Sequence, residues 1–319
     1  MPDKSDSNPR KPAPVKAILG SLALIAYFGL IQWAWGWEKI LQQWQSWSLQ
    51  ATLACLAGMF ITYLLRALRI RDYYRRESGT GYLVCLRITL FHNLANNLLP
   101  MRSGEASFPL LIRAWFGVSA TQASGTLLLF RLLDLYSLAV ICLCGWLWVQ
   151  QLYLPLLPSL AAALLVPLAL FPAKPLLEKQ LQQSDKKPAL LIKELLKGAP
   201  TEAIDLVRCQ LISLINWAIK ILVFGWILIS FGGLDGFQAI LGALGGELSS
   251  ILPLHAPVGV GTYEAGVVAG ALLGGAEAGS TLGAAVNLHI LIILGTLSGG
   301  LLALALPSSP PPGETAGSA

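Results

Sequence analysis

Two apolar stretches of this chain are interrupted at their centres, and those interruptions constrain the fold more than any other feature. The first is 88–115, ITLFHNLANNLLPMRSGEASFPLLIRAW. The second is 237–274, FQAILGALGGELSSILPLHAPVGVGTYEAGVVAGALLG. Each has helix-like apolar arms around a Pro/Gly centre: Pro100 and Gly104 in the first, Pro253, Pro257, Gly259 and Gly261 in the second. Broken backbone at membrane depth is tolerated only where protein or a water-filled cavity covers it. Both stretches are therefore expected to be re-entrant hairpins.

Composition says that the solvent is lipid. Hydrophobic residues make up 55% of the 319 and charged residues 12%, against roughly a quarter charged in a soluble domain. A spanning helix needs about 20 apolar residues, and the runs near 17–35, 49–65, 119–149, 154–172, 209–231 and 279–306 satisfy this. The expected fold is an all-α polytopic membrane protein: about six spanning helices plus two Pro/Gly-broken re-entrant hairpins. Residues 1–16 read as a disordered cytoplasmic tail and 307–319 as a second disordered end. Between them, 17–306 reads as one transmembrane domain with halves at 49–172 and 209–306. A Lys-bearing amphipathic connector at 174–208 joins the halves, and 38–48 reads as an interfacial segment. Trp33, Trp35 and Trp37, rather than a small-residue cleavage site, follow the first apolar run, so it is expected to stay as an anchor.

The net charge of +5 sits beside apolar spans, a pattern that sets topology and does not read nucleic acid. Lys4, Arg10, Lys11 and Lys16 place the N-terminus in the cytoplasm. Arg66, Arg69, Arg71, Arg75, Arg76 and Arg87 form a second basic region, and the connector forms a third. The spans 119–149 and 154–172 make one round trip between the last two regions, so 88–115 must enter and leave on one side. Continuing this count, the second hairpin enters from the opposite face and 279–306 returns the C-terminus to the cytoplasm. The expected location is the plasma (inner) membrane.

The halves also repeat. Gly117, Ala120, Gly125 and Arg131 stand at one common offset from Gly275, Ala278, Gly283 and His289, and Glu105 and Glu264 fall within one position of it. Each half runs Leu-Pro, a break, Glu, a short apolar helix, Gly, then a span with one basic residue. With the charge-derived topology this order indicates an inverted repeat, which in transporters puts the substrate site near the midplane.

Asn97-Leu98-Leu99-Pro100 with Arg102, Gly104, Glu105, Arg131 and Asp134 resembles the lysylphosphatidylglycerol synthase transmembrane region family, also called flippase-like. Leu252-Pro253, Pro257-Val258-Gly259, Gly261 and Glu264 are similar to its C-terminal motif. The likeness covers roughly 17–306. It departs at His289, where the family often has Arg, and the soluble synthase domain of the lysyl-transferring members is not expected here. The resemblance implies lipid translocation and no aminoacyl transfer.

Buried ionisable groups are functional candidates because their burial is costly. Glu105 and Glu264 are read either as helix caps or as substrate or proton sites. Asn93, Asn96 and Asn97 are expected to satisfy backbone groups freed by the break. Arg131 and Asp134 either neutralise each other, or Arg131 pairs with Glu105 or a lipid phosphate while Asp134 holds it. Arg102 and Arg113 flank the first hairpin and suit phosphate or snorkelling; Lys220 is mid-span. His255 and His289 suit proton coupling or simple packing. The glycines of GVGTYE suit tight turns or an amide nest for phosphate. Five scattered cysteines without CxxC spacing, and no HExxH or GxSxG string, give no reason to expect a metal, a cofactor or a catalytic residue. The expected partner is a membrane lipid, an anionic phospholipid or a polyprenyl-phosphate-linked one. The alternatives are a membrane enzyme, or a non-catalytic partner of enzymes of glycolipid or envelope-lipid synthesis.

Overall fold

A computed structural model describes residues 29, 31–33, 36–77, 81–182, 187–250 and 257–307. Most of the first expected span, the two tails, and 251–256 with Pro253 and His255 lie outside the described residues, as do the side chains of Pro100, Arg102 and Pro257. All regular structure among the described residues is helical. Helix α1 (Trp37–Ser46) is the expected interfacial segment, and Ser48 then caps α2 (Leu49–Tyr73) by accepting the Ala51 N–H. Trp44 and Gln43 tie α1 to two later helices through Asn287 and the Phe231 carbonyl.

Among the described residues five helical stretches are long and apolar enough to cross a membrane: α2, α5 (Ala120–Val149), Leu156–Leu181, α9 (Ala203–Gly232) and α12 (Ala278–Ala305). The third comprises α6 (Leu156–Leu170) and most of α7 (Ala173–Gln182), with α8 (Lys187–Leu196) after it. At 1.5 Å per residue the 25 to 30 residues of the others exceed the roughly 30 Å of a hydrocarbon core. Helix α9 starts ahead of the apolar run at 209. Its polar first turns are matched by the end of α2: Arg75 pairs with Asp205 at 2.6 Å, Arg208 with Asp72 at 3.5 Å, and Arg76 with Glu202.

Both interrupted stretches are antiparallel hairpins. In the first, α3 (Tyr82–Leu98) gives way to a 3-10 turn, Pro100–Ala106, and returns as α4 (Ser107–Phe116). Leu99 is extended, as a residue before proline prefers. Gly104 lies directly on the backbone of Ala95 and Asn96, so the turn folds back onto its own first arm. In the second, α10 (Gly236–Ser249) and α11 (Thr262–Leu273) run with backbones in contact, Gly245 on Gly266 and Gly270 on Leu241. Their 14 and 12 residues give only about 21 Å and 18 Å, short of a crossing.

Helix α12 shows how the hairpins enter. Arg87, near the start of α3, donates to the Leu306 carbonyl, while Asn97 at the tip reaches Thr296. The second hairpin runs the other way: its ends adjoin the start of α12, with Gly232 packed by Ala284, and its tip reaches His289. The first hairpin thus enters from the residue-306 end of α12 and the second from the residue-278 end. The tips touch each other between them. The expected opposed hairpins are present, in the order span, hairpin, span, twice over.

One expectation about charge is corrected. Arg66 and Arg69, counted with the topology-setting arginines, lie inside the helix bundle. Arg69 is 6% exposed and pairs there with Asp134 at 2.6 Å.

Candidate functional site

Where the two tips meet, the bundle encloses a cavity of about 440 Å³. Spans α2, α5, α9 and α12 wall it, and both tips project into it. Its charged side chains among the described residues are Arg66, Glu105, Arg131, Asp134, Lys220 and Glu247, with His92 and His289 beside them. In a surface of otherwise apolar helices this is the polar interior.

The repeat-related acids and bases meet as pairs. Glu105 in the first turn bonds Arg131 Nη2 of α5 at 2.6 Å. At the start of α11, Glu264 Oε1 lies 2.7 Å from His289 Nδ1 of α12. Each pair ties a hairpin tip to the span that follows it. Arg131 and Asp134 do not neutralise each other. Asp134 instead holds Arg69, which also donates to Ser213 and stacks over Phe130 at 4.2 Å. Neighbours on one helix face lose here to partners on other helices, since each then faces one opposite charge squarely.

Glu264 has the capping role, one of the two alternatives read for it in the sequence. Its Oε2 accepts the Gly261 N–H at 2.8 Å, which caps the helix, while Oε1 engages His289. The Gly261 amide is therefore committed to a carboxylate and not left open as part of a phosphate nest. The turn before it is strained: Val258 has φ 63°, a conformation rare for a β-branched residue. Gly259 and Gly261, with φ 81° and 82°, reach theirs without a Cβ penalty. The Val258 carbonyl accepts from His289 Nε2 at 2.9 Å.

Two of the three asparagines bond side chains, and none of the three bonds a backbone group of the break among the described residues. Asn97 donates to Thr296 at 2.7 Å and Asn93 to Tyr63 at 3.3 Å. Lys220 meets Glu247 at 2.7 Å over the rings of Trp217 and Phe224. Arg66 differs from these. It forms no ion pair among the described residues, and its guanidinium lies 5.9 Å from the centre of the Trp217 ring. Buried Arg131 Nε, Asn96 Oδ1 and the Tyr263 hydroxyl have no hydrogen-bond partner among the described residues. The cavity is thus lined with polar groups that remain to be satisfied.

Arg66 and Glu247 were not recognised as site residues in the sequence. The signal was available: Arg66 interrupts an apolar run that continues to Ile70, and Glu247 stands inside an apolar hairpin arm, where any ionisable group is a candidate.

Fold and site together define a polytopic α-helical membrane protein with a duplicated span–hairpin–span unit closed around a polar cavity. Residues 17–299 match the lysylphosphatidylglycerol synthase TM region, and the chain belongs to that family. Comparison with curated proteins and with solved structures finds no match. The family ties the chain to lipid-related processes in membranes.

Proposed function

We propose that this protein moves the headgroup of an anionic lipid, a phospholipid or a polyprenyl-phosphate-linked one, between the leaflets of the cell membrane. The observation that carries the reading is Arg66, a cation without an ion pair among the described residues, facing the cavity where the two hairpin tips meet. A guanidinium takes a phosphate through two parallel hydrogen bonds, which replace the water that the headgroup leaves behind. The cavity's other described cations, Arg131 and Lys220, already have carboxylate partners, so among the described residues Arg66 is the cavity arginine or lysine without one. The lipid's chains would stay in the bilayer while its headgroup crosses. The hairpins serve as gates from opposite faces, and each gate is latched by one acid–base pair. The charge pattern supports an orientation with both termini in the cytoplasm.

The test is lipid movement by the purified protein in liposomes, with fluorescent phospholipid and polyprenyl-phosphate probes. Wild type should move an anionic probe, and Arg66→Gln should lose at least about tenfold in rate, the order expected for one charge-assisted contact. Equal rates in wild type and Arg66→Gln, or movement of neutral probes alone, would overturn the reading.

A further inference from the structure

The two latches are chemically unequal, and the difference identifies a second ligand. We propose that the Glu264–His289 pair is a proton-binding site, and that a proton is the ion coupled to opening of the second hairpin. The coupling to lipid rests on the function proposed above; the proton site does not.

Geometry fixes the hydrogens. The Val258 carbonyl can only accept, so His289 Nε2, 2.9 Å away, carries an N–H. Glu264 Oε2 is taken up by the Gly261 amide. The remaining contact, Nδ1 to Oε1 at 2.7 Å, needs one hydrogen between the two atoms. Imidazolium with carboxylate and imidazole with carboxylic acid both supply it; the doubly deprotonated pair does not. In that state two lone pairs face each other at hydrogen-bond distance and the contact opens. The only bond broken is the N–H or O–H, and the proton passes to water. His289 lines the cavity, which gives that water a place to stand.

Release of the proton leaves the imidazole one hydrogen for two acceptors, so it gives up either Glu264 or the Val258 carbonyl, and the tip is then held by one contact where it had two. The opposite latch, Glu105–Arg131, cannot work this way, since a guanidinium keeps its proton at any physiological pH. One gate is therefore titratable and the other is fixed.

The groups facing the pair make the proton respond to the lipid. Glu247 of α10 is neutralised by Lys220 of α9. Across the cavity Asp134 is neutralised by Arg69, and Glu105 by Arg131. From α11 the Tyr263 ring packs on His289 at 5.0 Å. On the far side of α12, helix α1 brings Trp44, bonded to Asn287. Arg66 of α2 lines the same cavity as His289, so an anionic headgroup on Arg66 and the proton on the pair are coupled reciprocally, each raising the affinity for the other by the same factor.

The experiment uses the full chain in liposomes with two readouts. The first is maleimide labelling at Val260→Cys on the tip, followed by mass spectrometry, in wild-type and His289→Arg backgrounds. The ratio of the two rates cancels the thiol's own pH dependence. It should rise at least about threefold between roughly pH 6 and pH 8. The second is movement of the anionic lipid probe with and without an imposed pH gradient. A gradient should accelerate wild type and leave His289→Arg unaffected. A flat labelling ratio overturns the proton site, and if lipid still moves, the translocation reading stands alone. A rising ratio with no lipid movement supports the proton site and removes the lipid reading. A rising ratio with lipid movement indifferent to the gradient overturns the coupling.

Discussion

Asp134 and Arg66 carry opposite charges into the same cavity but play different parts, and substitution should separate them. Asp134 is 5% exposed and bonded to a 6% exposed Arg69. Removing one member of such a buried pair leaves the other charge uncompensated, at a cost of about 3–5 kcal/mol. Asp134→Asn should therefore lower the melting temperature in detergent sharply, and Arg69→Met combined with Asp134→Leu should recover most of the loss. Arg66→Gln should melt like wild type, because no ion pair among the described residues is broken, while lipid movement fails. A large loss of stability in Arg66→Gln would mean that this arginine is structural.

At the scale of elements, the second hairpin depends on glycine for contact and not for flexibility. A side chain at Gly270 would meet the Leu241 carbonyl, and one at Gly245 the Gly266 carbonyl, both backbone atoms that cannot yield. Gly270→Val should force α10 and α11 apart and cost at least about 1–3 kcal/mol, the usual price of overpacking, read as a lower melting temperature. Gly295 is the contrast: an added Cβ would meet the Met59 sulfur at 3.0 Å, and a flexible thioether can move aside. Gly295→Ala should change the melting temperature by no more than a degree or two. Equal effects at Gly270 and Gly295 would remove the argument from backbone contact. The hairpins themselves were legible in the sequence, because Pro and Gly between apolar arms of subcrossing length leave few other solutions. The closeness of the second hairpin's arms was not, since it depends on which glycines face each other.

For the whole molecule, the opposed entry of the hairpins makes a labelling prediction. Glu77 follows α2, and Lys187 opens the helix after the Leu156–Leu181 run, both near the end where α3 starts. Glu277 precedes α12 at the other end. Cysteines at 77 and 187 should react with an impermeant maleimide from one face of oriented vesicles, and a cysteine at 277 from the other. Labelling of all three from one face would break the inverted arrangement. The duplicated unit was readable because charge bias and residue order both vary along the chain itself.

By itself the sequence determined the lipid solvent, the five spans that lie among the described residues, the two breaks, the repeated order and Glu105 as one of three partners offered for Arg131. These follow from local content, because lipid offers no hydrogen bonds and each segment must satisfy its own backbone. Only the tertiary structure decided that Arg69 takes Asp134, that Arg66 is left without an ion pair among the described residues, that Glu247 joins the cavity, and that His289 bridges Glu264 and Val258. Those outcomes turn on hydrogen-bond distances between helices far apart in the chain, where a shift of an ångström changes which charge finds which partner.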